Sequence, residues 1–449
     1  MGPIESLVIT SVKGQYNHPS ETKQKISRQI VTAACKRKTE SDIVEKPAKI
    51  IRSAIDKTDH VSVLTCNDLK CIRENMYNQR RKTYPTIPRN AEEVHKFLSD
   101  FHNNYKTFKN EEFILYNECS QGIIVLGCKA NLAVLAKSEI LYMDGTFQYC
   151  TKFFKQLFTV HGYFDGHYIP LLFCLLKDKC ELTYKLCLQE VKNLCSEHNL
   201  LLRPTKIVLD FETAIHNAVK YVWTDIIIHG CRFHLTQSWW RKIQSLGLSC
   251  EYKDKSSDIG KWLRLCFGMV LLDKNIVSDF FVFEMMEVTP NDTRVIQFAD
   301  YLTDHYISEE SKFPPNIWAD ASAELNQTTN ACESFHSHFN NSFHYCSPSI
   351  FDFMTVLTKF QNEVYIKCNS INTPIKSRNS HTLRRKRFLE NLLQDLKNNH
   401  ITTMHFTSQL PASTHLYYLN KTEFDLDLRS GWKIQTSAKR IVSTQLKPL

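Results

Sequence analysis

No stretch of this sequence is apolar for long enough to cross a membrane as a helix. The longest run, Tyr168 to Leu176, covers about nine residues and contains Pro170, far short of the roughly 20 required. A secretory signal is also missing, because Met-Gly-Pro-Ile-Glu-Ser-Leu at the start has neither a basic flank nor an apolar segment. Glycine and proline are scarce, at 12 and 14 of 449 residues. With 43% hydrophobic and 23% charged residues, that scarcity excludes a low-complexity or disordered chain. The 16 cysteines include no Cys-x-x-Cys pair, so their spacing describes neither a paired zinc site nor a disulfide scaffold. Most read as small buried hydrophobes in a reducing compartment. No internal repeat of roughly 20–50 residues is visible, which removes solenoids and propellers.

What is present is a chain with room for about two to four domains. Lys and Arg outnumber Asp and Glu by 56 to 47, for a net +9 and a pI near 8.7. That excess is compatible with nucleic acid as a partner. The first 90 residues are polar and basic, with Arg80-Arg81-Lys82 ahead of a linker around Pro85 and Pro88. A short amphipathic helix is expected over Ala91 to Phe101.

The middle of the chain is more regular. Residues 139–144 read as a buried strand ending in Asp144. Residues 153–164 and 168–177 read as two further strands joined by an Asp165-Gly166 turn. A helix follows over 181–199, with Tyr184, Leu188, Val191 and Cys195 on one face. Lys206 to Asp210 is a fourth strand, again ending in a carboxylate. Residues 211–223 form a helix and 225–231 a fifth strand. The order β-β-β-α-β-α-β gives a mixed sheet of α/β class, with the first and fourth strands side by side and parallel. Asp144 and Asp210 then sit at one edge, where ligands of such sheets gather. Residues 235–325 read as helical, broken at Asp254–Asp258 and at Phe313-Pro314-Pro315. Asn330 to Phe343 reads as one helix, with Asn330, Glu333, Ser337 and Asn340 on one face and Ala331, Cys332, Phe335 and Phe339 on the other. Residues 350–369 are a further helix, and 376–390 are strongly basic.

Three carboxylates fall at the functional edge of this layout: Asp144, Asp210 and Glu333. Hard divalent cations prefer carboxylate oxygens, and acids crowded together without a cation repel one another. Two such cations can serve phosphodiester displacement. Each acid also has a structural reading: a strand-end turn for Asp144, a helix cap for Asp210, and a capping box of Asn330 with Glu333. The three together favour a metal site. Cys231-x-x-His234 after the fifth strand is half a zinc site, which His229, Cys250, His336 or His338 would have to complete. Its alternative is a hydrogen-bonded pair fixing the start of the helical segment beside the acids, and zinc is not expected. Trp239 and Trp240 offer either stacking on bases or an anchor for the helices. Arg384-Arg385-Lys386-Arg387 and Arg80-Arg81-Lys82 fit nuclear import or phosphate contact.

Taken together, these motifs resemble the transposases of Mutator-like elements over about residues 91–345. Asp-Gly-Thr-Phe at 144–147 resembles the first catalytic acid motif, Leu-Asp-Phe-Glu at 209–212 the second, Cys231-x-x-His234 the signature after it, and Thr329-Asn330-x-x-Glu333-x-x-His336 the block with the third acid. The segment with Arg73, Tyr77 and Arg80-Arg81-Lys82 resembles the region upstream of the core in invertebrate members. Gly14 to Pro19 resembles the last residues of a FLYWCH-type zinc module, with Tyr16 where a ligand histidine belongs.

The resemblance implies a ribonuclease-H-like core with a helical insertion and DDE chemistry. Asp144, Asp210 and Glu333 would be its catalytic and metal-binding acids, with Mg²⁺ or Mn²⁺ in a two-metal site. It implies DNA strand cleavage and transfer at terminal inverted repeats, a nuclear location, and a homo-oligomer in a synaptic complex. His336, Arg232, Trp239, Arg80, Arg81 and Lys82 are the expected DNA contacts, and Cys231, His234 and Asn330 the structural positions. The expected divisions are a zinc-module remnant over 1–20, a basic helical region over 21–90, the core over 91–234, the insertion over 235–327, the core helix over 328–346 and a basic helical region over 347–449. The alternative function is an inactive or domesticated DNA-binding protein derived from such a transposase.

Overall fold

The computed structural model describes residues 20–410 apart from 42–44, 57–61, 85, 148, 165, 324–327, 344 and 374–379. The Gly14–Pro19 stretch and residues 411–449 lie outside the described residues. Three helices come first: α1 (Lys23–Ser41), α2 (Pro47–Ile55) and α3 (Cys66–Thr83). They share a small core of Val31, Cys35, Ile50, Ile51, Ile72 and Met76. Helix α3 opens with a capping box in which Thr65 and Asp68 satisfy each other's backbone N–H groups. The linker is anchored at Tyr84, which donates its hydroxyl to Asp352 and stacks on Phe351 with centroids 5.3 Å apart.

The central unit runs α4 (Ala91–Asp100), β1 (Ile114–Glu118), β2 (Ile123–Leu126), α5 (Lys129–Leu135), β3 (Ile140–Thr146), β4 (Gln156–Phe164), β5 (His167–Leu176), α6 (Glu181–Glu197), β6 (Lys206–Leu209), α7 (Thr213–Val222) and β7 (Ile227–Gly230). Among the described residues these strands form one seven-stranded mixed sheet in the order β1-β2-β5-β4-β3-β6-β7. The expected neighbours appear: β3 pairs antiparallel with β4 and parallel with β6, and β6 runs parallel to β7. The β1–β2 hairpin on the free edge of β5 was not expected. Each of its strands has only four or five residues, and an apolar run of that length has no period that distinguishes strand from helix.

Alternation along the strands feeds two cores. Ile123, Val125, Leu141, Met143, Phe158 and Val160 face α5, α6 and α7. Ile124, Leu126, Leu157, Phe173 and Leu175 face α4 and two later helices, Asn330–Asn340 and Ile350–Asn369. Pro170 has no N–H to give the β4–β5 ladder, and the pairing slips there, from Val160 opposite Leu172 to His161 opposite Pro170.

The chain then leaves the sheet through α8 (Arg232–Ser245), α9 (Ser249–Lys253), α10 (Asp258–Gly268), α11 (Val277–Asp279), α12 (Thr293–Leu302) and α13 (Pro315–Trp318). Residues 280–285 and 303–307 are wound as π-helix. It returns through α14 (Asn330–Asn340) and α15 (Ile350–Asn369), and ends in α16 (Ser380–Lys397) and α17 (Thr403–Gln409). The excursion has its own aromatic core, and Leu389 of α16 and Phe406 of α17 belong to it. No local pattern in the last helices announces this contribution.

Trp239 lies in that core with no exposed surface, in edge contact with Phe267, Tyr306 and Trp318 at 5.6–5.8 Å. No base can stack on it there, so its expected DNA contact is corrected to that of an anchor. Arg232 and Arg80 are corrected in the same way. Both are buried, and their guanidinium groups donate to the carbonyls of Asp320 and Glu45.

Candidate active site

Parallel pairing of β3 with β6 brings Asp144 and Asp210 to one edge of the sheet. The Asp144 carboxylate accepts the N–H of Gly145 at 2.8 Å, and its other oxygen lies 3.4 Å from Nδ1 of His336. Asp210 follows β6 directly. Its carboxylate accepts the N–H of Phe211 at 2.6 Å, and its carbonyl takes the Nε2–H of His216 at 2.8 Å. The ring of Phe211 lies over Gly230, where an added Cβ would approach it to 2.2 Å. That contact presses the Asp210 turn onto β7.

Cys231 begins α8 where β7 ends and donates its N–H to the carbonyl of Leu209 at 2.8 Å. His234 therefore sits on the first turn of α8, beside the end of β6. The sulfur of Cys231 accepts both the N–H and the hydroxyl of Thr329, each at 3.2 Å. Cys332 shares a buried cluster with Cys231, Phe233, Tyr142 and Val208. These contacts tie the return of the chain to its point of departure and deliver Glu333 to the sheet edge. Of α14, Cys332, Phe335, His336 and Phe339 turn inward. No side chain caps this helix, so the Asn330–Glu333 capping box does not form.

His234 is the hub. Its Nδ1 lies 3.6 Å from Asp210 and its Nε2 3.5 Å from Glu333. Burial alone would lower its pKa. The Cys231 sulfur and the Asp210 and Asp144 charges outweigh burial and hold it well above the ordinary histidine value. Asp144 shows the complementary balance: burial works to raise it, and the His336 hydrogen bond with the two imidazoles holds it below the usual carboxylate range.

A second layer supports Asp144. Thr159 of β4 donates its hydroxyl to the Asp144 carbonyl at 3.2 Å. The same oxygen is 2.9 Å from Nε2 of His336 and 3.1 Å from Nε2 of His161. A hydroxyl has one proton, so with it committed to the carbonyl both imidazoles donate to Thr159. Sequence reasoning missed Thr159 and His161. Their signal was two polar residues, two apart, inside an otherwise apolar strand. Beside the site, Lys179 pairs with Glu212 at 2.9 Å and lies 4.3 Å over the ring of Phe147.

The expected site residues thus divide. Asp144, Asp210, Glu333, His234 and His336 meet at one place, with Cys231 and Asn330 at its margin; His336 is buried with its ring nitrogens against Asp144 and Thr159, so its expected DNA contact is corrected to a positioning role. Arg81 and Lys82 are exposed at the end of α3. The segment that carries the paired strands, both aspartates and the Cys-His signature is the part recognised by comparison.

Residues 140–238 match the MULE transposase domain.

The matched domain starts with β3 and ends within α8. A match to that domain suggests a transposase-related function and a polynucleotidyl-transferase-like role, and it implies DNA binding. Glu333 lies outside it and reaches its edge only by folding. No curated protein matches the chain. No described helix is long and apolar enough to cross a membrane.

The metal question turns on the donors. Two aspartates and a glutamate are hard oxygen ligands of the kind Mg²⁺ and Mn²⁺ take. Among the described residues, however, no group of three or more His, Cys, Asp or Glu side chains is drawn tightly enough to hold an ion. His234 lies between Asp210 and Glu333. The set fits such a cation chemically, and binding there requires the imidazole to yield its place between them.

Proposed function

We propose that this chain is a DDE-type transposase that cleaves phosphodiester bonds at the ends of a mobile element and transfers the freed strand to target DNA, on a ribonuclease-H-like core in the nucleus. The observation that carries this reading is the convergence of Asp144, Asp210 and Glu333 around His234, on a domain that matches the MULE transposases. Asp144, Asp210 and Glu333 would hold Mg²⁺ or Mn²⁺. Bound there, the cation supplies a sharpened attacking oxygen and a stabilised leaving one.

The protein's own residues do the rest. Thr159 and His336 hold the Asp144 carboxylate in one orientation. The His234 charge balances Asp210 and Glu333. The Cys231–Thr329 contacts keep α14 in register with β6. Catalysis then comes mainly from positioning and electrostatics.

One observation favours the alternative of an inactive DNA-binding descendant: His234 occupies the space between two of the acids. The two readings separate in one assay, nicking of DNA carrying the element's ends as a function of Mg²⁺ or Mn²⁺. The wild type is expected to nick, and Asp210→Asn to lose about a hundredfold or more in rate. The Asp210 side chain is 48% exposed, so the substitution leaves the fold intact. Equal rates for the two proteins reject the DDE assignment. DNA binding without cleavage by the wild type selects the inactive descendant.

A further inference from the structure

The positive charge of this chain is concentrated at one end. Residues 23–83, the span of α1 to α3, hold 15 Lys and Arg against 7 Asp and Glu, which is +8 of the net +9. Helix α3 shows how that charge is displayed. Ile72 and Met76 turn into the small core, and Arg80 is consumed by the Glu45 carbonyl. At about 100° per residue, Lys70, Arg73, Tyr77 and Arg81 fall within an arc of about 80°, centred about 120° round the helix from Ile72 and Met76, and all four are exposed. Tyr77 is 53% exposed, which is high for an aromatic residue with no core to join.

Some of the neighbouring cations are spent in ion pairs. Arg28 pairs with Asp68, and Lys38 and Lys49 pair with Glu45. Lys70, Arg73 and Arg81 have no ion-pair partner among the described residues. Glu74 is the one α3 carboxylate beside this face, at its rim, and Lys82 lies about 100° beyond Arg81.

We propose that the outward face of α3, formed by Lys70, Arg73, Tyr77 and Arg81, docks on the phosphate backbone of duplex DNA. The choice of DNA rests on the transposase reading; the surface itself rests on charge and exposure. The face lies outside the matched domain and is not the Arg80-Arg81-Lys82 run that the sequence singled out, since Arg80 is buried. Lys70 and Arg73 are about one helical turn apart and Arg81 lies about two turns further on, roughly 12 Å along the axis with Tyr77 midway, beside a polymer with a charge every ~1.7 Å of its axis. Unpaired cations release counterions when they meet phosphates, and the Tyr77 hydroxyl can donate to a phosphate oxygen between them.

The test uses the full chain and a fluorescent duplex of arbitrary sequence, with affinity measured by anisotropy across a salt series. The variant Lys70→Gln/Arg73→Gln/Arg81→Gln is expected to bind at least about tenfold more weakly at low salt. Its log–log salt slope should be shallower by about 2 to 3, since each lost phosphate contact removes about 0.9. Its melting temperature should be that of the wild type. A charge-matched control in the helical excursion, Lys253→Gln/Lys255→Gln/Lys261→Gln, should bind as the wild type does. Unchanged affinity and slope in the α3 variant overturn the proposal. So does an equal loss in the control, or a loss seen with RNA but not with duplex DNA. Undiminished nicking by Asp210→Asn would instead remove the catalytic reading and leave this binding result standing.

Discussion

At the scale of single residues, the site is organised by groups that never meet substrate. Thr159 is fully buried and serves three partners at once: the Asp144 carbonyl, His336 and His161. Thr159→Val keeps the shape and removes the hydroxyl, stranding two buried imidazole N–H groups at roughly 1–3 kcal/mol each. Because His336 then loses its support, Asp144 loses its orientation. The expected result is about a tenfold fall in the nicking rate with little change in the affinity for DNA, a typical loss for a supporting residue. Thr159→Ser restores most of the rate. A Thr159→Val enzyme at full rate would show that Asp144 is held by other means.

At the scale of elements, the excursion between β7 and α14 matters as much as the sheet. Its core is closed by α16 and α17, and Phe406 is completely buried there. Phe406→Ala removes a large buried ring, at about 3–5 kcal/mol. It should loosen α8 to α13 together with α17, because they share one core. Limited proteolysis is expected to cut first within residues 232–318, with the sheet still protected. Simultaneous digestion of sheet and excursion would mean that the two unfold as one unit. Loosening also releases α14, so Glu333 and activity should fall together with protection.

At the scale of the whole molecule, buried histidines set the response to acid. Burial lowers His216 to about 4, its hydrogen bond to the Asp210 carbonyl notwithstanding. Burial also lowers His229, with Lys206 and Arg232 adding to the effect, to about 2. Both values are below the unfolded one. Between about pH 6.5 and 4 the unfolded chain therefore takes up protons that the native chain refuses, and stability falls as pH falls. His216 alone accounts for about 3 kcal/mol across that window. His234 has the opposite sign: its raised pKa contributes stability that is lost as pH rises through that value. Melting temperature should therefore peak between these limits and drop steeply below about pH 6. A flat profile from pH 7 to 4.5 would contradict the buried, neutral state of His216 and His229.

Much of this protein was written in local sequence. The strand and helix order from Ile140 to Gly230, the antiparallel pairing of β4 with β5, and the parallel placement of the Asp144 and Asp210 strands follow from apolar runs, turn residues and helical periodicity, which act over a few residues. The acids stood out because polar groups end apolar strands there. Tertiary structure alone decided the rest. It put His234 between Asp210 and Glu333, and it made Cys231 the acceptor that brings Thr329 and Glu333 back across nearly a hundred residues. It buried Trp239, Arg232 and Arg80, whose residue types suggested DNA contact, and left Lys70, Arg73 and Arg81 in water. Residue type and spacing determine what an element can present; which face is buried depends on partners distant in sequence, and no local pattern encodes them.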